Sequence, residues 1–163
     1  MNSNKISLVK LFTILIAITL LSCGKTGVTP TFSLEDDTKK VKAILKNIDD
    51  YKLDMNTKMS VYDDEVVHMA QGSRAITNKE DLRKVLEADS TYGHSEMTHE
   101  LISIHSYQDM VLTRGRVAGK WYSAEGNQVF PFETNNIITF KRKEDGALSV
   151  WQVIFNRVAL ENY

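Results

Sequence analysis

His68, Glu100, Arg114 and Asn136 are the side chains whose types could do chemistry in this chain. An imidazole titrates nearest neutrality and can act as a general base or as a polar wall of a pocket. His68 closes a short apolar run, Val66-Val67-His68-Met69, and reads either as a satisfied edge histidine or as a group that touches a ligand. If Ile104 stands opposite Met110, Glu100 stands opposite Arg114, giving either a cross-strand ion pair or a catalytic acid with its electrostatic partner. A guanidinium at Arg114 favours a ligand carrying a carboxylate or another anion. His94, His99 and His105 lack metal-ligand spacing, and His99 and His105 share the face of Leu101 and Ser103, read as outward. No metal and no cofactor is expected. The chain has one cysteine, Cys23, so it holds no internal disulfide and offers no Cys–His arrangement. Glycine-rich phosphate loops and internal repeats are both lacking.

Four strands must position these groups. The segments 97–105, 110–122, 128–142 and 148–158 are β-rich and are joined by short polar turns. Short turns connect only antiparallel neighbours, so the four form a meander. Side chains alternate between faces along a strand. On the third strand Phe130, Phe132, Thr134, Asn136, Ile138 and Phe140 share a face, and this is read as the interior. The interior set is read as Met110, Leu112, Arg114, Arg116 and Ala118 on the second strand, and as Thr98, Glu100, Ile102 and Ile104 on the first. The fourth strand stays open: Trp151, Val153 and Phe155 suit the interior, but so do Val150, Ile154 and Val158. One end of the interior is then plain core, and the other mixes polar groups with aromatics, the usual make-up of a ligand pocket. Its candidate lining is Tyr51, Tyr62, His68, Glu100, Arg114, Phe132, Asn136 and Trp151.

Helices come first. Ser33 and Asp36 frame a helix start, and Val41, Ile44, Leu45, Ile48 and Tyr51 form one apolar helical face. Met55, Met59 and Tyr62 continue the pattern after a break near Asp54. Thr77-Asn78-Lys79-Glu80 reads as a capping box ahead of Leu82, Val85 and Leu86, and that helix ends near Tyr92-Gly93, with glycine as a left-handed cap. Helices followed by a run of strands make an α+β domain, with the helices on one face of a curved sheet.

The N-terminus reads as an address. Lys5 and Lys10 precede the apolar run 11–21, which is too short to span a bilayer and suits a secretory signal. It closes in Leu20-Leu21-Ser22-Cys23-Gly24, which resembles the lipobox of bacterial lipoproteins. That resemblance implies cleavage after residue 22, lipidation of Cys23 and stable membrane anchoring by several acyl chains in the cell envelope. The expected organisation is a signal peptide over 1–22, a lipidated cysteine and tether over 23–35, and a domain over 36–160. Taking Lys5 and Lys10 from the 20 basic residues leaves 18 against 21 acidic, or −3, a charge that does not suggest nucleic acid.

The element order and three phrases resemble the nuclear-transport-factor-2-like (NTF2-like) superfamily, in its SnoaL-like and DUF4440 branches related to ketosteroid isomerase. The phrases are the short helix running into Val61-Tyr62-Asp63-Asp64-Glu65-Val66-Val67, then Ala75-Ile76-Thr77-Asn78-Lys79-Glu80-Asp81-Leu82, and Gly146-Ala147-Leu148-Ser149-Val150-Trp151. The resemblance covers about 36–158. It implies a cone-shaped α+β fold with a pocket between sheet and helices, and dimers through the sheet. It does not carry over the isomerase residues. The position of the proton-moving carboxylate falls on Met69, that of the oxyanion-hole tyrosine near Lys46 or Asn47, and that of the protonated acid on Asn136, a neutral hydrogen-bonding group. The expected function is therefore a membrane-anchored module holding a small, partly apolar ligand. The alternatives are a SnoaL-like enzyme with His68 or Glu100 as general base, or an interaction domain with a filled cone and an apolar outer patch of Val111, Val117, Val129 and Ile137.

Overall fold

Three helix caps and one long run of strands set the architecture. In a computed structural model, which describes residues 32–159, Ser33 accepts a hydrogen bond from Asp36 N (3.0 Å) and starts helix α1, Leu34–Asp49. Asp54 accepts from Thr57 N (3.1 Å) and starts α2, Met55–Ser60. Strand β1, Tyr62–Ala70, follows, and then α3, Lys79–Tyr92. The cap of α3 is Asn78, which accepts from Asp81 N (2.8 Å), one residue beyond the expected Thr77. The meander is β2 (Gly93–Ser106), β3 (Met110–Ser123), β4 (Val129–Arg142) and β5 (Leu148–Arg157). The expected signal peptide, Cys23 and most of the tether lie outside the described residues. Among the described residues no helix is long and apolar enough to cross a membrane.

The five strands form one sheet in the order β1-β5-β4-β3-β2. All pairs are antiparallel except β1 with β5, which run parallel. Gly126 and Gly146 take positive φ (71° and 79°) in the two later turns, as glycine does at little steric cost. Gly93 is different. Its backbone is extended, not left-handed, and a Cβ there would meet the carbonyl of Tyr122 at 2.1 Å and the Trp121 ring at 2.7 Å.

The helices cover the concave face, with α1 along β2 and α3 against β1. The main core joins Val41, Ile44 and Leu45 of α1 to Val111, Ile138, Phe140, Leu148 and Val150 of the sheet. A second cluster joins Met59, Val66 and Leu82. Tyr62 packs against both, and burial pushes its phenol pKa up to about 12.

Two bulges decide which side chains face inward. The β2–β3 register shifts between Leu101 and Ser103, leaving Ile102 unopposed and 50 % exposed. The β4–β5 register shifts between Thr139 and Phe140, leaving Trp151 unopposed. One inserted residue flips the face of everything beyond it. Hence Ile104 and Ser106 point inward above the β2 bulge, but Leu101 and His99 do so below it. On β5, Leu148 and Val150 face the core before the bulge, and Val153 after it. Both parities weighed for that strand are each half right.

On β3 the expected parity is reversed. Val111, Thr113 and Val117 are buried, whereas Arg114 and Arg116 are exposed on the convex face. The turn sets Ser106 opposite Val111, and Val111 opposite the fully buried Phe140. The opposite choice would bury two guanidinium groups, which costs several kcal/mol each without close partners, on the order of the penalty for any buried ion. The expected outer patch shrinks accordingly: Val111 and Val117 are interior, while Val129 (48 % exposed) and Ile137 (44 %) remain outside.

A buried ion pair closes the hairpin end of the domain. Arg142 donates to Asp37 Oδ1 (2.8 Å) and Oδ2 (2.7 Å), and both side chains are 1–2 % exposed. Ser106 also donates to Asp37. Arg142 donates further to the carbonyls of Gln108 and Tyr107 (3.2 Å each) and stacks 3.8 Å from the Phe32 ring. One guanidinium thus ties the start of α1 to the β2–β3 turn.

Candidate functional site

All five strands contribute to one level of the face that meets the helices, and its polar side chains come from β4 and β1. Asn136 (6 % exposed) and Thr134 (8 %) stand on β4. Opposite Asn136 are Gly115 on β3 and Phe155 on β5, and Gly115 stands opposite Leu101 on β2. His68 on β1 is opposite Val153, and its ring packs edge-on against Phe155 at 5.3 Å. Strands lie about 4.8 Å apart, so Leu101, Gly115, Asn136, Phe155 and His68 make one band across the concave face. Phe132, half-buried, shares that face four residues from Asn136.

Gly115 is the residue that makes the band concave. A Cβ there would lie 2.9 Å from Asn136 Oδ1 and 2.6 Å from the carbonyl of Glu100. The Asn136 amide therefore occupies the space a β3 side chain would take. Its Nδ2 is buried and is the one buried side-chain polar atom without a hydrogen-bond partner among the described residues. An unpaired buried donor costs about 1–3 kcal/mol. Native proteins hold few such groups, and each calls for a partner such as a water, an ion or a ligand. Burial lowers the pKa of His68, so the ring meets this band as neutral imidazole at neutral pH.

A cavity of about 390 Å³ opens beside the band, between α1 and β2. Lys42, Leu45, Lys46 and Asp49 line it from the helix, and His99 and Leu101 from the strand. His99 points inward, against the expected outward face, because it lies below the β2 bulge. Its backbone N–H donates to Asp49 Oδ2 (3.0 Å), and its Nδ1 lies 2.5 Å from Asp49 Oδ1. Asp49 thus covers part of an edge strand that would otherwise offer its N–H to another chain. Asp49 recurs four residues after Leu45 on the apolar side of α1, and a carboxylate in that stripe is the signal that points to a buried partner.

Several expected pocket residues lie elsewhere. Arg114 and Glu100 are on the convex face, and Glu100 stands opposite Arg116 instead of Arg114. Arg116 Nη2 donates to Glu100 at 2.6 Å and Nη1 to Glu133 at 3.3 Å, an exposed three-residue cluster. Both carboxylates lift the Arg116 pKa, the Glu100 hydrogen bond most of all. Trp151, the bulge residue, sits by the ammonium of Lys141 (5.9 Å), which itself pairs with Glu65 (3.1 Å). Tyr51 follows α1 and stacks on His94 at 4.4 Å, and His94 stacks on Tyr122 at 5.2 Å at the free edge of β2. Tyr62 belongs to the core. Of the eight candidates, the structure brings His68 and Asn136 into one band and leaves Phe132 on the same face, about 13 Å further along β4. No group of three metal-ligating side chains occurs among the described residues.

This cone of helices on a curved sheet is the NTF2-like fold. A conserved protein from Planctomyces limnophilus superposes with a TM-score of 0.70 at 17% identity, over 76% of this chain and 98% of that one. A ketosteroid isomerase-like protein from Erwinia carotovora atroseptica gives 0.68 at 17% identity, over 79% and 100%. An NTF2-like superfamily protein from Salmonella enterica gives 0.62 at 10% identity, over 78% and 92%. No family model and no curated protein matches the sequence. At these identities the likeness is one of fold, and the site has to be read from its own residues.

Proposed function

We propose that this domain holds a small, partly apolar molecule against the concave face of its sheet, presented from a bacterial membrane by lipid on Cys23. The observation that carries the ligand reading is the buried, unpartnered Nδ2 of Asn136, whose Oδ1 lies over Gly115. Neighbouring Phe155 and neutral His68 supply the apolar and weakly polar wall that such a ligand needs, and Phe132 extends the same face along β4. Folds of this shape recur in a ketosteroid isomerase-like protein and in proteins described as dehydratases, which supports a cavity-based function without naming its substrate. Glu100 is no general base for such a site, since it is held by Arg116 on the other face.

The test is native mass spectrometry on the soluble form beginning after Cys23, purified from its own host and sprayed with and without organic denaturant. A co-purifying mass leaves on denaturation. Asn136→Leu abolishes its retention yet raises the thermal midpoint of the empty protein, because the substitution removes an orphan donor worth about 1–3 kcal/mol. Retention of the mass by Asn136→Leu would sink the reading. Arg114→Ala, on the convex face, leaves retention unchanged.

The anchor has its own check. With an alkyne fatty acid fed to the host, the wild-type chain becomes labelled and partitions with membranes, whereas Cys23→Ser is unlabelled and keeps its leader. Labelling of the serine variant would discard the lipid-anchor reading. It rests on the sequence Leu20-Leu21-Ser22-Cys23 and on multi-chain anchoring.

A further inference from the structure

We propose that the groove between α1 and β2 binds small hydroxy acids, with Lys42 and Lys46 taking the carboxylate, Leu45 and Leu101 the apolar body, and Nε2 of His99 the hydroxyl proton. This rests on the ligand reading above, because Leu101 stands in register with Gly115 and Asn136 and so joins the groove to the concave band.

Asp49 is the one carboxylate that lines the groove. Asp49 is occupied by His99, through the backbone N–H at 3.0 Å and Nδ1 at 2.5 Å. Its side chain is 19 % exposed and that of His99 is 9 % exposed. Lys42 and Lys46 share the groove and have no carboxylate partner among the described residues. Two ammonium groups one helical turn apart at the mouth of a partly apolar groove attract one organic anion. The groove, about 390 Å³ and open to solvent along its length, admits a small organic molecule that stays partly exposed.

The dyad sets the polarity of the rest of the ligand. A carboxylate only accepts hydrogen bonds, so in the neutral imidazole the proton sits on Nδ1, facing Asp49. Nε2 is then a lone-pair acceptor. It pairs with a ligand O–H and leaves a ligand carbonyl unsatisfied. An anion with an apolar middle and a hydroxyl donor is a hydroxy acid; a keto acid or a plain carboxylic acid satisfies fewer of these groups.

The experiment uses the full-length chain, as processed by its host, in a neutral detergent at pH 8.5. Binding of 4-hydroxyphenylacetate, phenylacetate, 4-hydroxyphenylacetamide and 4-acetylphenylacetate is followed by backbone amide NMR. 4-Hydroxyphenylacetate shifts the amides of residues 42–49 and 99–101 and binds about tenfold more tightly than phenylacetate or the amide, the worth of one good hydrogen bond or charge contact. Joint Lys42→Gln and Lys46→Gln substitution removes the preference for the carboxylate over the amide. Asp49→Asn is the sharpest arm. Its amide can still accept from the His99 N–H while donating to Nδ1, which moves the imidazole proton to Nε2. The hydroxy compound then loses its advantage and the acetyl compound gains it, with the fold intact by circular dichroism.

Equal binding of all four compounds overturns the proposal, as does an unchanged order in Asp49→Asn or an absence of groove shifts at about 10 mM ligand, a level that detects even weak, millimolar affinity. Shifts confined to Gly115, Asn136 and Phe155 overturn the groove assignment while leaving the concave site standing. Groove shifts in a protein whose Asn136→Leu variant keeps its co-purified mass support the groove and overturn the broader reading instead.

Discussion

Asp37→Ala costs this domain about 3–5 kcal/mol, because it leaves the Arg142 guanidinium buried and uncompensated. For a domain of this length that is a fall in thermal midpoint on the order of 10–15 °C. Arg142→Ala is comparably damaging, since it also releases the carbonyls of Gln108 and Tyr107. Replacing both partners together, Asp37→Leu with Arg142→Met, recovers most of the loss, as paired replacement of buried ions by apolar groups often does. The pH dependence has a definite sign. The Arg142 hydrogen bonds, more than Ser106 or the Lys40 charge, hold the Asp37 pKa below its ordinary value despite burial. The stabilisation is therefore complete above the unfolded carboxylate value of about 3.9, and is lost as pH falls below it through the folded pKa. Thermal unfolding at pH 7 and pH 3 checks both points. The gap between wild type and Asp37→Asn narrows at the lower pH. A single-variant loss under about 1 kcal/mol at pH 7, the range of an exposed pair, would refute the buried-clamp account.

Gly115→Ala damages both stability and binding from one methyl group. The new Cβ lies 2.6 Å from the carbonyl of Glu100 and 2.9 Å from Asn136 Oδ1, closer than real Cβ contacts come. The first contact is with backbone on the edge strand, so β2 has to move away at Leu101. The second is with the amide that the ligand reading depends on. Overpacking of this kind costs about 1–3 kcal/mol. The expected result is a lowered thermal midpoint together with loss of the co-purified mass in native mass spectrometry. By contrast, Asn136→Leu loses the mass but gains stability. That opposition separates a damaged fold from a damaged site. A Gly115→Ala variant with wild-type midpoint and full retention would show that the band is not shaped by this glycine.

Much of the scaffold was legible in local chemistry. Ser33 could be placed at a helix start because its oxygen has to reach an N–H within one turn, and the periods of 41–48 and 82–86 each define one apolar stripe. The inward face of β4 was readable from Thr134, Asn136, Ile138 and Phe140, since no bulge interrupts that stretch in its pairing with β3. The same rule misplaced Glu100, Arg114, Trp151 and His99. On β2 and β5 a single extra residue, Ile102 or Trp151, inverts the alternation, and nothing in the residue types marks where it falls. On β3, two arginines against Thr113 and two glycines were a cue: charge on one parity and small side chains on the other identify the crowded face.

What the chain determined by itself is local: its caps, its turns, its helical stripes and the order of its elements, because each depends on groups a few residues apart. The tertiary structure alone decided the register between strands. With it came the meeting of Asp37 with Arg142 across 105 positions, of Asp49 with His99 across 50, and of Asn136 with Gly115. Those pairings follow from how a twisted, bulged sheet closes around its helices. They are chosen by burying Phe140 and Val111 together while keeping Arg114 and Arg116 in water, a balance summed over the whole core and held in no single segment.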